Sequence, residues 1–262
     1  MTPAPVPARL NLATHHVASR AMWSAFRAPT NRIRRAAGLR PFSPRWERLP
    51  VVYGFSPALV PRPLDWPDSA RVCGAWHLAE PDWTPPTELA AFLDEGEPPV
   101  YIGFGSMAAS GTAELTRRIL DVLEGRRALV APGWSGIERE LGALPESVRL
   151  VGATPHSWLL PRCALAVHHC GAGTTHAVAR AGIPSVPVPF AADQPFWARR
   201  LREAGIGSRP LDRRSATATS IGDALSEASS RWMRDRATEV GQDMAGEDAV
   251  GAVIDHLSRW HS

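Results

Sequence analysis

Between Leu12 and Ala37 the apolar residues Leu12, Val17, Met22, Trp23, Phe26 and Ile33 recur at loosely helical intervals, with Pro29 among them. The spacing predicts a helix; the proline lacks an amide proton and crowds the preceding turn, which predicts two helices or one broken at that point. Gly38 predicts its end. A short β-branched and aromatic run follows from Val51 to Phe55, and residues 61–99 then become rich in Pro, Trp and Asp with little periodicity, as in a crossing segment or linker.

From Pro99 onward short apolar runs alternate with helical stretches. VYIGFG, RALVAP, SVRLVG, CALAVHH and PSVPVPF read as strands, residues 113–123 and a stretch ending at Ala181 as helices, and 216–228, 230–241 and 247–260 as terminal helices. Strands separated by helices of this length imply right-handed crossovers. The predicted architecture is therefore α/β, a Rossmann-like parallel sheet with helices on both faces. The pattern shows no internal repeat.

Composition narrows the function classes. A chain of 262 residues with 44% hydrophobic and 21% charged residues can bury a sizeable core. All basic residues are arginine, mostly interspersed with Asp and Glu, and the net charge is only +3, which argues against a nucleic-acid footprint. The densest basic stretch, Arg27 to Arg40, reads as a solvated helical face. Cys73, Cys163 and Cys170 lack CxxC spacing, so neither a disulfide framework nor a zinc ribbon is indicated. No apolar run approaches the roughly 18–20 residues needed to span a bilayer, and the amino terminus lacks a signal-peptide core, so a cytoplasmic protein is expected.

The most informative segment is Ala164 to Gly182, in which a buried strand runs into a glycine-rich turn and then a helix opening with Thr174 and Thr175. A helix start at a strand's carboxyl end offers free amide protons and the positive end of a dipole, and Gly171 and Gly173 let an anion approach the backbone. His169 can add a side-chain donor. A plain tight turn explains the same residues equally well. The spacing is neither GxGxxG nor GxxxxGK[ST], and a chain without lysine is a poor candidate for a P-loop. Gly103, Gly105 and Ser106 form a second turn of this kind, or a glycine turn with a capping serine. Asp193 and Gln194 follow a strand and suit vicinal sugar hydroxyls, though a helix-capping Asp193 is an equal explanation. Loop 154–162 offers backbone groups for a base edge and Trp158 for stacking, although such a Trp more often lies in the core.

Together, HHCGAGTTHAVARAG, PFAADQPFWARRL, YIGFGSM and AEPDWTPPTELAAFL make the chain resemble bacterial glycosyltransferases of the sterol-glucosyltransferase and antibiotic-glycosyltransferase group. The resemblance implies a GT-B fold, of which this would be the carboxyl-terminal half. It also implies inverting transfer of a sugar from a UDP- or TDP-sugar to a hydroxyl of a lipid, sterol or natural-product acceptor, without a metal or other cofactor. By that resemblance His169, Gly171, Ala172, Gly173 and Thr174 hold the diphosphate, assisted by Ser106. Asp193 and Gln194 read the sugar, and Pro155, His156 and Trp158 meet the base. One departure is Cys170, where the subgroup usually has glycine.

The same resemblance divides the chain into a remnant of the acceptor-binding domain (1–60), a linker (61–98) and the donor-binding domain (99–262). Most of the preceding domain, with the general base, is expected to be missing, and His15 and His16 are not assigned that role. Exposed apolar surface at Trp23, Phe26 and Trp260 is then expected, with association with a separate chain carrying the other half and peripheral membrane contact as possible consequences. The competing readings are a non-catalytic nucleotide-sugar-binding module, a GT-B-shaped epimerase or hydrolase, and metal binding by Cys163, His168, His169, Cys170 and His176. Against the last, adjacent strand residues His168 and His169 point to opposite faces.

Overall fold

The computed structural model describes residues 8–42, 50–78, 82–105, 111–133 and 137–259. The chain divides into two compact units after residue 49. In the first unit one helix, α1 (Ala8–Ala36), runs straight through Pro29. It is neither split nor broken as expected: Pro29 is exposed, so the one carbonyl it leaves unpaired can be solvated. Gly38 ends the helix at a φ of +72°, with its amide donating to Arg35 O and that of Leu39 to Arg34 O, the paired bonds of a Schellman turn. Trp23 is half-buried against the edge of Phe42, whereas Phe26 is exposed; Trp260 lies outside the described residues.

The second unit opens with two short parallel strands, β1 (Val51–Tyr53) and β2 (Ala70–Val72). Residues 50–78 pack within this unit: Leu59 is fully buried among Trp197, Leu201, Val240 and Met244, and Arg200 Nε donates to its carbonyl at 2.6 Å. The main sheet has the strand order β5-β4-β3-β6-β7, every pair parallel. Its members are β3 (Val100–Gly103), β4 (Ala128–Ala131), β5 (Val148–Leu150), β6 (Leu165–His168) and β7 (Ser185–Pro187).

Residue alternation shows why the sheet is covered twice. Val100, Ile102, Ala128, Val130, Leu165 and Val167 pack with α3 (Thr112–Val122) and α8 (Ala218–Ala228), while Tyr101, Leu129 and Ala166 pack with residues of α2 (Thr87–Asp94) and α6 (Ala172–Arg180). The two short helices α4 (Ile137–Leu141) and α5 (His156–Leu159), and α7 (Gln194–Glu203), complete the crossovers, and α9 (Arg231–Ala245) and α10 (Ala249–Ser258) close the chain. Helix α6 begins at Ala172, two residues before the expected opening. Segment 154–162 is α5 followed by a 3₁₀ turn (Leu160–Arg162) rather than an open loop, because Leu159 and Leu160 are buried anchors.

No helix among the described residues is long and apolar enough to cross a membrane.

Candidate functional site

The chain runs from β3 outward to β4 and β5, then returns to place β6 on the other side of β3. This reversal of direction opens a crevice at the carboxyl ends of β3 and β6, the position where doubly wound sheets bind ligands. Three glycine turns meet there. Gly105 after β3 has a φ of +62°, as does Gly133 after β4, and a Cβ on Gly133 would come within 2.1 Å of Gly105 O. On the β6 side a Cβ on Gly171 would lie 2.5 Å from His169 Nε2, and one on Gly105 would lie 2.9 Å from His169 Cε1. The imidazole of His169 therefore occupies the notch between two glycine turns, space that any larger residue would fill.

His168 and His169 face different surroundings. His168 is fully buried: its Nδ1 accepts the Cys170 amide at 3.2 Å, so Nε2 carries the proton and donates to Ser185 Oγ at 3.1 Å. Burial, with the fields of His169 and His156, pushes its pKa down to about 3, so it is a neutral structural group. His169 is also shifted down, chiefly by burial, opposed by the backbone of Gly103 and the carboxylate of Asp193. Its Nδ1 is buried, and its Nε2 lies beside Gly171 in the notch between the turns.

Helix α6 supplies amides beside that imidazole. Gly171 caps it in an extended conformation, and the first intrahelical bond is Thr175 N–H to Gly171 O at 2.9 Å. The amides of Ala172, Gly173 and Thr174 thus have no acceptor within the helix, and Gly173 is exposed. Cys170 just before this turn has a φ of +62°, the left-handed region where glycine is unstrained, which gives a physical reason for glycine at this step.

A cavity of about 310 Å³ adjoins the turns, lined by Tyr101, Gly105, Gly133, Thr154, His156 and Thr174 among others. The ring of His156 meets Tyr101 edge-on at 5.9 Å, with Nε2 and the phenol oxygen 3.3 Å apart. Burial and, secondarily, the field of His169 lower its pKa, and burial raises that of the Tyr101 phenol. Pro155 is buried at the cap of α5, and Trp158 packs on Trp83 at 5.0 Å with the Arg162 guanidinium over its ring. Of the three expected base contacts, His156 reaches the cavity wall. Tyr101, whose phenol lines it too, escaped the sequence reading because a tyrosine within a buried strand looks like core.

Asp193 stands at the start of α7, exposed, and makes no side-chain cap; its Oδ2 instead accepts the Trp197 indole N–H at 2.8 Å. Gln194 is buried, with Oε1 accepting the amides of Phe190 and Ala191 at 2.7 and 3.1 Å, which leaves only its NH₂ for a ligand. Ser106 lies outside the described residues. The residues weighed as metal ligands diverge: His176 Nδ1 turns to Ala172 O and its Nε2 accepts the Ser56 amide, so both of its nitrogens are taken. Among the described residues no group of three or more His, Cys, Asp or Glu is placed to hold a metal ion.

Residues 134–259 match the family model of the erythromycin biosynthesis protein CIII-like C-terminal domain. The chain is 38% identical over 268 residues to O-mycaminosyltylonolide 6-deoxyallosyltransferase of Streptomyces fradiae, covering 98% of this chain and 62% of that protein. It is 34% identical over 270 residues to a sterol 3-beta-glucosyltransferase of Aspergillus terreus, covering 95% of this chain and 19% of the relative. Among solved structures, the glycosyltransferase of kitacinnamycin superposes with a TM-score of 0.69 at 18% identity, over 96% of this chain and 66% of that one. The chain thus spans less than two thirds of the length of each.

Proposed function

We propose that this chain, whose residues 134–259 match the CIII-like C-terminal model, is part of a GT-B glycosyltransferase and binds a UDP- or TDP-sugar at the β3–β6 crevice for inverting transfer to a hydroxyl. The observation that carries this reading is the pairing of the His169 imidazole, its Nε2 beside Gly171, with the open amides of Ala172, Gly173 and Thr174 in a notch cleared by Gly105 and Gly171. Amide dipoles and an imidazole suit an anion that gains charge.

In the proposed reaction the acceptor oxygen attacks the anomeric carbon from the face opposite the diphosphate. The bond from that carbon to the phosphate oxygen breaks, and its electron pair leaves with the nucleoside diphosphate. The fixed N–H groups at the start of α6 stabilise the charge that develops without reorganising, and His169 completes the set; no metal is assigned a part. The acceptor proton goes to a base that no residue of this chain is assigned.

Asp193, its carboxylate held by the Trp197 indole, is the proposed reader of sugar hydroxyls, with the NH₂ of Gln194 as the neighbouring donor. The cavity beside Tyr101 and His156 is the proposed seat of the base. The relatives named for O-mycaminosyltylonolide and for a sterol support a hydrophobic small-molecule acceptor.

A thermal-shift series with UDP-, TDP- and GDP-sugars tests the donor reading, since a ligand that binds only the folded state raises the midpoint by mass action. Stabilisation by a UDP- or TDP-sugar is expected; unchanged midpoints with all three at millimolar concentration would refute it.

A further inference from the structure

A larger cavity, about 730 Å³, lies at the opposite end of the sheet. Its walls are the residues that lead into the strands: Glu97 and Pro98 before β3, Gly125 to Arg127 before β4, Cys163 and Ala164 before β6, and Gly182 to Pro184 before β7. Four residues of strand at about 3.3 Å each put it roughly 13 Å from the glycine turns, and it shares no lining residue with the cavity beside them. Helices α8 and α9 close the side with Ser229, Arg234 and Thr238.

Three guanidinium groups, of Arg126, Arg127 and Arg234, line this space against one carboxylate, that of Glu97. Arg127 is fixed in place, donating to Glu97 O at 2.7 Å with its guanidinium over the Phe92 ring, and Arg234 is tethered to Ser229 O. A guanidinium oriented this way keeps donors to spare, and the fork they form matches an oxyanion. The Ser229 hydroxyl is buried behind this tether, without a partner in the protein. Pro98, Leu165, Ile183 and Pro184 make the remaining wall apolar.

We propose that this cavity is a second binding site, separate from the donor crevice, for a small organic anion in which one carboxylate or phosphate is carried on an apolar body. The oxyanion engages Arg126 and Arg234, and the apolar body rests on Leu165 and Ile183. A volume of this size takes a ligand of a few hundred daltons, well beyond a free inorganic ion.

Titration calorimetry on the full chain with 1-naphthyl phosphate, 1-naphthoate and inorganic phosphate tests the proposal. Saturable binding of at least one naphthyl anion is expected, tighter than inorganic phosphate, and unaffected by excess UDP. In the Arg126→Gln/Arg234→Gln double variant, with an unfolding midpoint equal to the parent's, that affinity falls at least tenfold. The absence of saturable binding, displacement of the probe by UDP, or a double variant that unfolds at the parent temperature and binds the probe equally well would each overturn it. Probe binding and its loss in the double variant are read without UDP, so they stand or fail apart from the donor site.

Discussion

Burial holds the imidazole of His169 below its ordinary pKa, so near neutral pH it is uncharged until an anion arrives to repay the desolvation. A bound diphosphate raises that pKa again, so between the free and bound values binding takes up a proton. The bridging diphosphate of a nucleotide-sugar does not titrate in this range, which leaves the imidazole as the reporter. Calorimetry in buffers of differing ionisation enthalpy is expected to show proton uptake near pH 7 and an affinity that rises as pH falls toward 6. His169→Ala is expected to flatten that dependence and to weaken binding by about 1–3 kcal/mol, the loss of a charged hydrogen bond. An identical pH profile in the variant would remove His169 from the site. Gly105→Ala has a complementary effect: its Cβ would press on His169 Cε1 at 2.9 Å and sit at a φ of +62°. Strain of about 1–3 kcal/mol is expected, read as a lower unfolding midpoint together with weaker nucleotide-sugar binding.

At the scale of elements, polar side chains tie down the turn before α7 and the segment 50–78. Gln194 Oε1 clamps the amides of Phe190 and Ala191, which sets the turn that presents Asp193. Asp193→Ala is expected to leave nucleoside diphosphate binding intact while preference among donor sugars fades; equal loss of nucleotide and nucleotide-sugar affinity would contradict the role. Glu247 accepts the Ser56 hydroxyl through one oxygen and the Ala75 amide at 3.0 Å through the other, tying residues 50–78 to the start of α10. Glu247→Ala leaves both donors unpaired and is expected to cost about 1–3 kcal/mol. Amide exchange should quicken first within 50–78; unchanged protection there would show that apolar packing around Leu59 suffices.

Across the whole molecule, four histidines act in the same direction. His156, His168, His169 and His176 all have folded-state pKa values below that of a free imidazole, with His168 lowest at about 3. The unfolded chain therefore binds more protons than the folded one once pH drops below the free value of about 6.5. Stability is full above that point and is lost as pH falls, by up to about 1.4 kcal/mol per pH unit for each imidazole, until pH reaches that group's folded value. Urea denaturation at pH 7.5 and 5.5 should show a clear drop in midpoint; equal midpoints would mean that the rings are solvated or paired with acids.

The order of strands and helices after Pro99 was legible because each element there carries its own period. Val100, Ile102, Leu165 and Val167 face one way and Tyr101 and Ala166 the other, so both sides of the strands are apolar and the runs stand out. The glycine turn at the end of β6 was legible for a similar reason: glycine spacing at a strand end is local information. Pro29 misled, since a proline predicts a broken helix from its own chemistry, while solvent at the helix surface decides whether the lost bond matters. Helix α5 was missed because its stability comes from Leu159 and Leu160 in the core rather than from the polar residues around them. The sequence by itself thus determined what depends on near neighbours: element type, turn chemistry and the stock of side chains. Only the tertiary structure decided what depends on distant ones: that β6 lies beside β3 so that two glycine turns frame one imidazole, that Trp158 turns to Trp83 while Tyr101 meets His156, and that three arginines converge at the far end of the sheet. Such contacts join residues tens of positions apart, and no local periodicity encodes them.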